Sequence, residues 1–458
     1  MSREESSPLS EDYQPEMDDP DTDNDDNNIF DQLGEDESGT TIFETRKSLK
    51  TTYTPNTEDI LHRDDRRKQI ARILKPIISP DDEMVTDLLM LEGTNGTGKT
   101  LISESVTTDL KRAASRGKTD LRVYTTDCSN LTTQYKVAIR TTNNILLDRG
   151  EQTIAESGFD EPTTIRKLFE QINELPSNEV VLVFDDITRV EHINDILYQV
   201  TRSEQAGTIL DGSTNVTIIC TANDLKFYSK LRQDVASSLV AKSIEFPPYD
   251  AQELRDILQA RSEEAFVPGG ITQAEIALTA SLAAKKNGEA RYGLQILLKA
   301  GEIGENRGLE RVTEDLVWEA KRSHEKSHIR GIISEYKERT QLVLASIAIH
   351  ALRRNEWPTG AEVYRTHATW TEEFAFSPYT DDMVYKRLDL FEDKELIYRD
   401  TSQEGNSKKC VLLYPPERIL EGCSESIKGS IIDGEKSRLE EKDLEETTRP
   451  SDIDDLSL

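Results

Sequence analysis

Five short apolar runs recur through the first half of the chain, with helical patterns between them. They are Asp87–Glu92, Leu121–Thr126, Val180–Phe184, Val216–Thr221 and Lys242–Phe246. Continuous rather than alternating apolar runs mark strands covered on both faces. The spacing therefore predicts a parallel sheet between helical layers, an α/β domain over 46–248. A leading amphipathic helix is predicted to start at Thr57-Glu58-Asp59, with Ile60, Leu61, Ile70, Ile73 and Leu74 on its apolar side. Pro247-Pro248 then stops strand and helix alike. Beyond the prolines the pattern is purely helical, at Gln252–Phe266, Ile276–Lys286, Arg291–Glu305 and Glu314–His324, which predicts a helical domain over 249–327. A third unit is expected over 328–423. Leu342, Leu344, Ile347 and Leu352 mark one helix there, and Val384, Leu388 and Phe391 another. Leu396–Arg399 and Val411–Tyr414 bracket a polar turn, and helices followed by such a hairpin predict a winged helix.

Charge changes the picture at the ends. Of the net charge of -31 over 458 residues, residues 1–45 carry -15 and residues 424–458 carry -6, which leaves -10 for residues 46–423. Both ends read as solvated, disordered acidic tails that have too little apolar surface to form a core. The mildly acidic middle fits a cytoplasm of very high salt, where counterion release contributes little to DNA binding and close contacts and shape must supply it. Four cysteines show no C-x-x-C pair, and Cys128 and Cys220, at strand ends, read as reduced structural thiols. No signal peptide and no apolar run near 18 residues occur, so a soluble, cytoplasmic protein without a membrane partner is expected.

The chemistry sits in two places. Gly93-Thr94-Asn95-Gly96-Thr97-Gly98-Lys99-Thr100 fits Gly-x4-Gly-Lys-Thr, follows the apolar run Leu88–Leu91 and opens a helical pattern at Leu101. Such a loop turns backbone N–H groups onto the phosphates of ATP or ADP. Its lysine reaches the β and γ oxygens, and its threonine hydroxyl holds Mg²⁺. The run Glu179–Phe184 ends in Asp185-Asp186, where a metal-binding carboxylate belongs in a nucleotide-binding sheet.

This order of elements resembles the archaeal replication initiators related to the origin recognition complex and to cell division control protein 6. These are AAA+ ATPases with a P-loop, a helical lid and a winged helix. Tyr53-x-Pro55 with His62-Arg63 is similar to the family's approach segment at the adenine pocket. Thr221–Phe227 is similar to its sensor 1 strand, with Asn223 near the γ-phosphate. Phe246–Leu254, containing Tyr249, resembles its link into the lid. Gly288-Glu289-Ala290-Arg291 resembles its Gly-Asp-Ala-Arg, whose arginine is sensor 2. The resemblance implies binding of double-stranded origin DNA, recruitment of the replicative MCM helicase, paralogous initiator subunits as further partners, and a place at the nucleoid. It also implies slow ATP hydrolysis used as a switch, with Asp185 on Mg²⁺, Asp186 orienting water, and Asn223 and Arg291 sensing the γ-phosphate.

Three departures bear on that transfer. The acidic strand ends Asp-Asp where the family has Asp-Glu. The family's arginine finger falls at Asp234, with Arg232 two positions early. Tyr379-Thr380-Asp381-Asp382 opens the helix that would enter a DNA groove, and residues 328–423 hold 13 basic and 16 acidic residues. Thr380 is expected to cap that helix. The cations left for DNA are Lys386 and Arg387 on the helix and Lys408 and Lys409 in the wing. Two other readings stay open: a divergent nucleotide- and DNA-binding regulator or plasmid replication protein, and a signalling ATPase whose winged helix does not bind DNA.

Overall fold

The computed structural model describes residues 41–79, 88–191, 193–201, 214–223, 227, 231–238, 240–374, 377–400 and 408–429. Of the tails expected to be disordered, residues 1–40 and 430–458 lie outside the described residues, as do most of the wing turn and residues 224–226 of the sensor segment. Residues 424–429, expected in the C-terminal tail, are instead packed, with Ile427 buried in the C-terminal core.

Every apolar run expected as a strand forms one. β1 (Leu88–Glu92), β2 (Leu121–Asp127), β3 (Glu179–Asp185), β4 (Asn215–Ala222) and β5 (Ala241–Glu245) make one parallel sheet in the order β2-β3-β4-β1-β5. Val180 to Phe184 are all buried, as expected for a strand covered on both faces. On one face α1 (Asp64–Leu74) and α2 (Lys99–Gly117) bring Ile70, Leu74, Ile102 and Val106 against Leu89, Leu91 and Val183. The other face is covered by α3 (Gln134–Asp148), α4 (Glu161–Asn173), α5 (Asn194–Thr201) and α6 (Gln233–Ser238).

The leading helix begins later than its pattern suggests. Thr57–Asp59 makes a single 3-10 turn, Ile60 is extended, and His62 takes a φ of 60°, so α1 starts only at Asp64. The break lets Ile60 enter the core while Arg63 turns inward beneath the loop at 93–100.

A separate core holds the lid helices α7 (Ala251–Ala265), α8 (Gln273–Lys285), α9 (Ala290–Asn306) and α10 (Glu314–Ser334). Capping boxes at Asp250/Glu253 and Thr272/Glu275 start the first two. Residues 41–45, expected within the disordered tail, are packed here instead. Ile42 and Phe43 are buried, and Phe43 stacks on Phe266 with ring centroids 4.9 Å apart. Gly301 makes that possible, because a Cβ there would lie 2.1 Å from the Phe43 ring.

Helix α10 runs past His324 and straight through residues 327–328, where a change of unit was expected. Its last turns, with Ile329 and Ile333, join the C-terminal core. That core contains α11 (Glu338–Arg354), α12 (Gly360–Glu373), α13 (Asp381–Asp393), the antiparallel pair β6 (Ile397–Asp400) and β7 (Lys409–Leu412), and α14 (Pro416–Gly422). Three helices and a hairpin form the winged helix. Helix α12 was not anticipated, although the capping box at Thr359 and Glu362 is a readable start signal. Among the described residues no helix is long and apolar enough to cross a membrane.

Phe43→Ala is expected to destabilise the lid by about 3 kcal/mol, the usual cost of emptying a buried aromatic site. Thermal unfolding of the full chain measures this, and an unchanged transition would mean that residues 41–45 are not part of the lid core.

Candidate functional site

The loop between β1 and α2 is built by its glycines. Gly93 donates its N–H to the Ala222 carbonyl, 3.2 Å away, and a Cβ on it would meet the Phe246 carbonyl at 2.3 Å. Gly98 takes a φ of 92°, and a Cβ there would lie 2.9 Å from the Tyr249 hydroxyl. The chain thus turns from strand to helix in a space that excludes side chains, leaving N–H groups at the start of α2 facing outward. Lys99 is buried, and its ammonium donates to the Gly93 and Thr94 carbonyls at 2.7 Å each. Burial lowers its pKa from 10.5 to about 8, with Asp186 and Asp185 opposing the change.

One carboxylate gathers the strand ends. Asp185 accepts hydrogen bonds from the Thr100 hydroxyl at 2.9 and 3.1 Å and from the Thr221 hydroxyl at 2.7 Å. Thr221 in turn accepts the Asp186 N–H at 2.8 Å. Asp186 has a φ of 53°, which swings its carboxylate off the strand and toward β4, where the Asn223 amide donates to it at 2.9 Å. The Asn223 N–H is itself held by the Thr188 hydroxyl at 2.8 Å. Thr100, Asp185 and Asp186 present hard oxygen donors beside the loop, a set that suits a magnesium ion completed by water and phosphate.

The lid closes the site directly. Ala290 donates its N–H to the Gly96 carbonyl at 3.2 Å, and Tyr249 donates to the Gly288 carbonyl at 3.2 Å. These contacts place Arg291 on the wall of a cavity of about 540 Å³. The loop residues Asn95, Gly96, Thr97, Gly98, Lys99, Thr100 and Leu101 line this cavity, together with Asp185, Asp186, Asn223, Tyr53 and Tyr249. Gly93 and Thr94 lie behind the loop. Ile60 and Leu61, with Ile257, Ala260 and Leu294 of the lid, add apolar surface to the cavity wall.

Two expected site residues lie elsewhere. His62 pairs with Asp256 at 2.9 Å on the outer side of the lid junction. Arg63 is buried behind the loop, donating to the Thr97 carbonyl at 3.0 Å and the Pro247 carbonyl at 2.6 Å, with its guanidinium 3.7 Å from the centre of the Tyr249 ring. It braces the loop and does not line the cavity. Sequence reasoning missed Thr221, Thr188 and Arg261. Thr221 was legible as the strand residue two before Asn223. Arg261, which sits 4.8 Å over the Tyr53 ring at the cavity wall, carries no local signal.

The nucleic-acid candidates are less concentrated. Lys386 is exposed but 3.9 Å from Asp382. Arg387 is half-buried against Tyr379, and Lys409 lies 3.9 Å from Glu356. Lys408 is exposed. Thr380 occupies the N-cap position of α13, yet its side chain makes no capping hydrogen bond, contrary to expectation. Arg232 is committed to Asp195 at 2.8 Å and Asp234 at 3.1 Å.

Comparison with known proteins follows these divisions. A family described as the Cdc6 AAA+ ATPase-type lid domain matches residues 255–322, and the ATPase family associated with various cellular activities (AAA) matches residues 89–248. An ORC1-type DNA replication protein of Pyrococcus horikoshii is 32% identical over 385 residues, covering 82% of this chain and 89% of that protein. ORC1-type DNA replication protein 2 of Haloarcula marismortui is 31% identical, covering 80% and 86%. The solved structure of the Aeropyrum pernix ORC1 protein in complex with DNA is similar with a TM-score of 0.72 and 26% identity, over 85% of this chain and 99% of that one.

Removing Arg63 leaves two buried carbonyls without donors. Arg63→Ala should cost about 2–3 kcal/mol of stability while leaving the ratio of adenine to guanine nucleotide affinity unchanged. Isothermal titration with both nucleotides checks this, and an altered ratio would return Arg63 to the base pocket.

Proposed function

The chain belongs to the family of ORC1-type DNA replication proteins, and from that premise we propose an ATP-binding initiator that binds origin duplex DNA and recruits the replicative MCM helicase. The observation that carries the nucleotide half of this reading is the Asp185 carboxylate shared by Thr100 and Thr221 beneath a lid docked on Gly96. The ATPase domain, the lid, which also packs residues 41–45, and the winged helix, joined to the lid by α10, divide the work, in the cytoplasm at the nucleoid.

In this reading the loop N–H groups and Lys99 hold the phosphates, and the apolar part of the cavity wall, with Tyr53 and Tyr249, takes the adenine. Thr100 and Asp185 would hold Mg²⁺, whose charge would offset that of the phosphates. Asp186, steadied by the Asn223 amide, orients the attacking water, and Arg291 reaches the γ-phosphate from the lid. Asp186 is one methylene shorter than glutamate and already accepts the Asn223 amide, which favours slow hydrolysis and a switch rather than rapid turnover. Duplex DNA meets Lys386 and Arg387 of the winged helix and Lys408 and Lys409 of the wing, chiefly through its backbone. Paralogous subunits complete the assembly. The ion pairs at Lys386 and Lys409 favour, as a second reading, a regulatory paralogue with weak DNA contact.

Lys99→Ala should abolish ATP binding. In the wild type the phosphates raise the lowered Lys99 pKa, so binding between about pH 8 and 9 takes up a proton and weakens as pH rises. Calorimetry in buffers of different ionisation enthalpy reads this; equal uptake in the variant would sink the assignment. Asp186→Glu should raise steady-state hydrolysis about tenfold by placing the water better, measured as phosphate release. The central test is genome-wide mapping of crosslinked DNA in cells at native salt. Sharp peaks at replication start sites are expected, and flat occupancy would overturn the initiator reading.

A further inference from the structure

Away from the nucleotide cavity, α1 and α2 enclose a second groove of about 580 Å³. Its floor is apolar, formed by Leu74, Val106 and Leu110, with Ala71, Ala113 and Ile78 on its sides. Its rim is net basic, carrying Arg67, Lys68, Arg72 and Lys75 against Asp64 and Asp109. Residues 64–75 hold five basic and two acidic residues, and residues 106–118 hold four and one. In a chain of net charge -31 this is a local reversal of sign. Arg67 and Arg112 are directed at Asp109, 2.5 and 3.6 Å away, whereas the Lys68 and Arg72 side chains are exposed. None of the proposed nucleotide chemistry uses these residues.

The chain holds a complementary segment of its own. Residues 1–40 carry 15 acidic residues and one basic residue. Within them Ile29, Phe30 and Leu33 form the closest-spaced apolar group, flanked by Asp25, Asp26, Asp31, Glu35, Asp36 and Glu37. Apolar residues four apart are the anchors that helix-in-groove recognition uses, and the flanking carboxylates match the rim. From residue 41, on the lid, a series of contacts leads to α2, the helix that forms one wall of the groove. Glu44 and Thr45 donate to the Ala265 carbonyl, the neighbouring Glu264 accepts the Tyr53 hydroxyl, and Thr54 donates to Glu104 on α2, just before Val106. Eleven residues from Phe30 to position 41 span at most about 35–40 Å, more than the roughly 28 Å length of the 19-residue α2.

We infer that the α1–α2 groove is the docking site of the chain's own acidic segment at residues 25–37. Ile29, Phe30 and Leu33 enter the apolar floor, and the flanking carboxylates meet Lys68, Arg72 and Lys75. The test is photo-crosslinking of the full-length protein with benzoylphenylalanine at position 30, followed by mass spectrometry. Adducts at residues 67–78 and 106–113 within a single chain are expected. They should fall about fivefold in the Lys68→Glu/Arg72→Glu double variant, the effect of two exposed charge pairs. They should fall likewise in Ile29→Ser/Leu33→Ser, a change outside the packed domains that reads docking even if the first variant folds poorly. Adducts elsewhere, adducts joining two chains, or adducts indifferent to both variants would overturn the proposal. So would duplex DNA binding lost on charge reversal with no groove adduct in the wild type, because the rim would then serve a nucleic acid.

Discussion

A half-buried carboxylate must be met by hydrogen-bond donors from several directions, and at Asp185 these come from segments far apart in the chain. Thr100 reaches it from the start of α2 and Thr221 from the end of β4, while the Asp185 carbonyl accepts the Cys128 N–H from the end of β2. An ionised carboxylate held away from water without such partners costs several kcal/mol, so this position ties strand register to loop conformation. With β3 and β4 in register at Phe184 and Cys220, Asp186 and Asn223 fall opposite each other beyond the strand ends. The phosphate loop, the acidic strand and the sensor strand are thus one hydrogen-bonded unit. The lid joins it through a backbone hydrogen bond, from the Ala290 N–H to the Gly96 carbonyl.

The sheet was legible because its strands are buried on both faces and write continuous apolar runs that little else in a polar chain imitates. The nucleotide loop was legible because its glycines answer to backbone geometry. Arg63 was misread for a physical reason: an arginine near an adenine-binding segment looks the same in sequence whether it lines the pocket or braces the loop behind it. Its role is decided by the carbonyls of Thr97 and Pro247, which only the fold brings together. The start of α1 was misread because Thr57-Glu58-Asp59 and Asp64-Asp65 both carry acidic start signals, and burial of Ile60 selects the second. Phe43 and Gly301 fit together across more than half the chain, and no local pattern announces such a pair.

Charge is distributed unevenly for so acidic a chain. The winged helix, where a basic face would be expected, is close to neutral and internally paired, and α13 opens on two aspartates that suit its own dipole. At high ionic strength the screening length falls to a few ångström, so a protein gains little from a broad positive field and relies on contacts at van der Waals range. The exposed Met383 and Tyr385 on α13 are groups that remain effective under such screening.

Helix α10 gives the molecule a mechanical property. Its 21 residues run without interruption from the lid core, at Leu316 and Val317, into the winged-helix core, at Ile329 and Ile333. A helix of that length is about 30 Å long and is stiff over this distance. Over that length a tilt of about 10° at one end would displace the other by roughly 5 Å. One uninterrupted rod thus ties the orientation of the lid core to that of the winged-helix core.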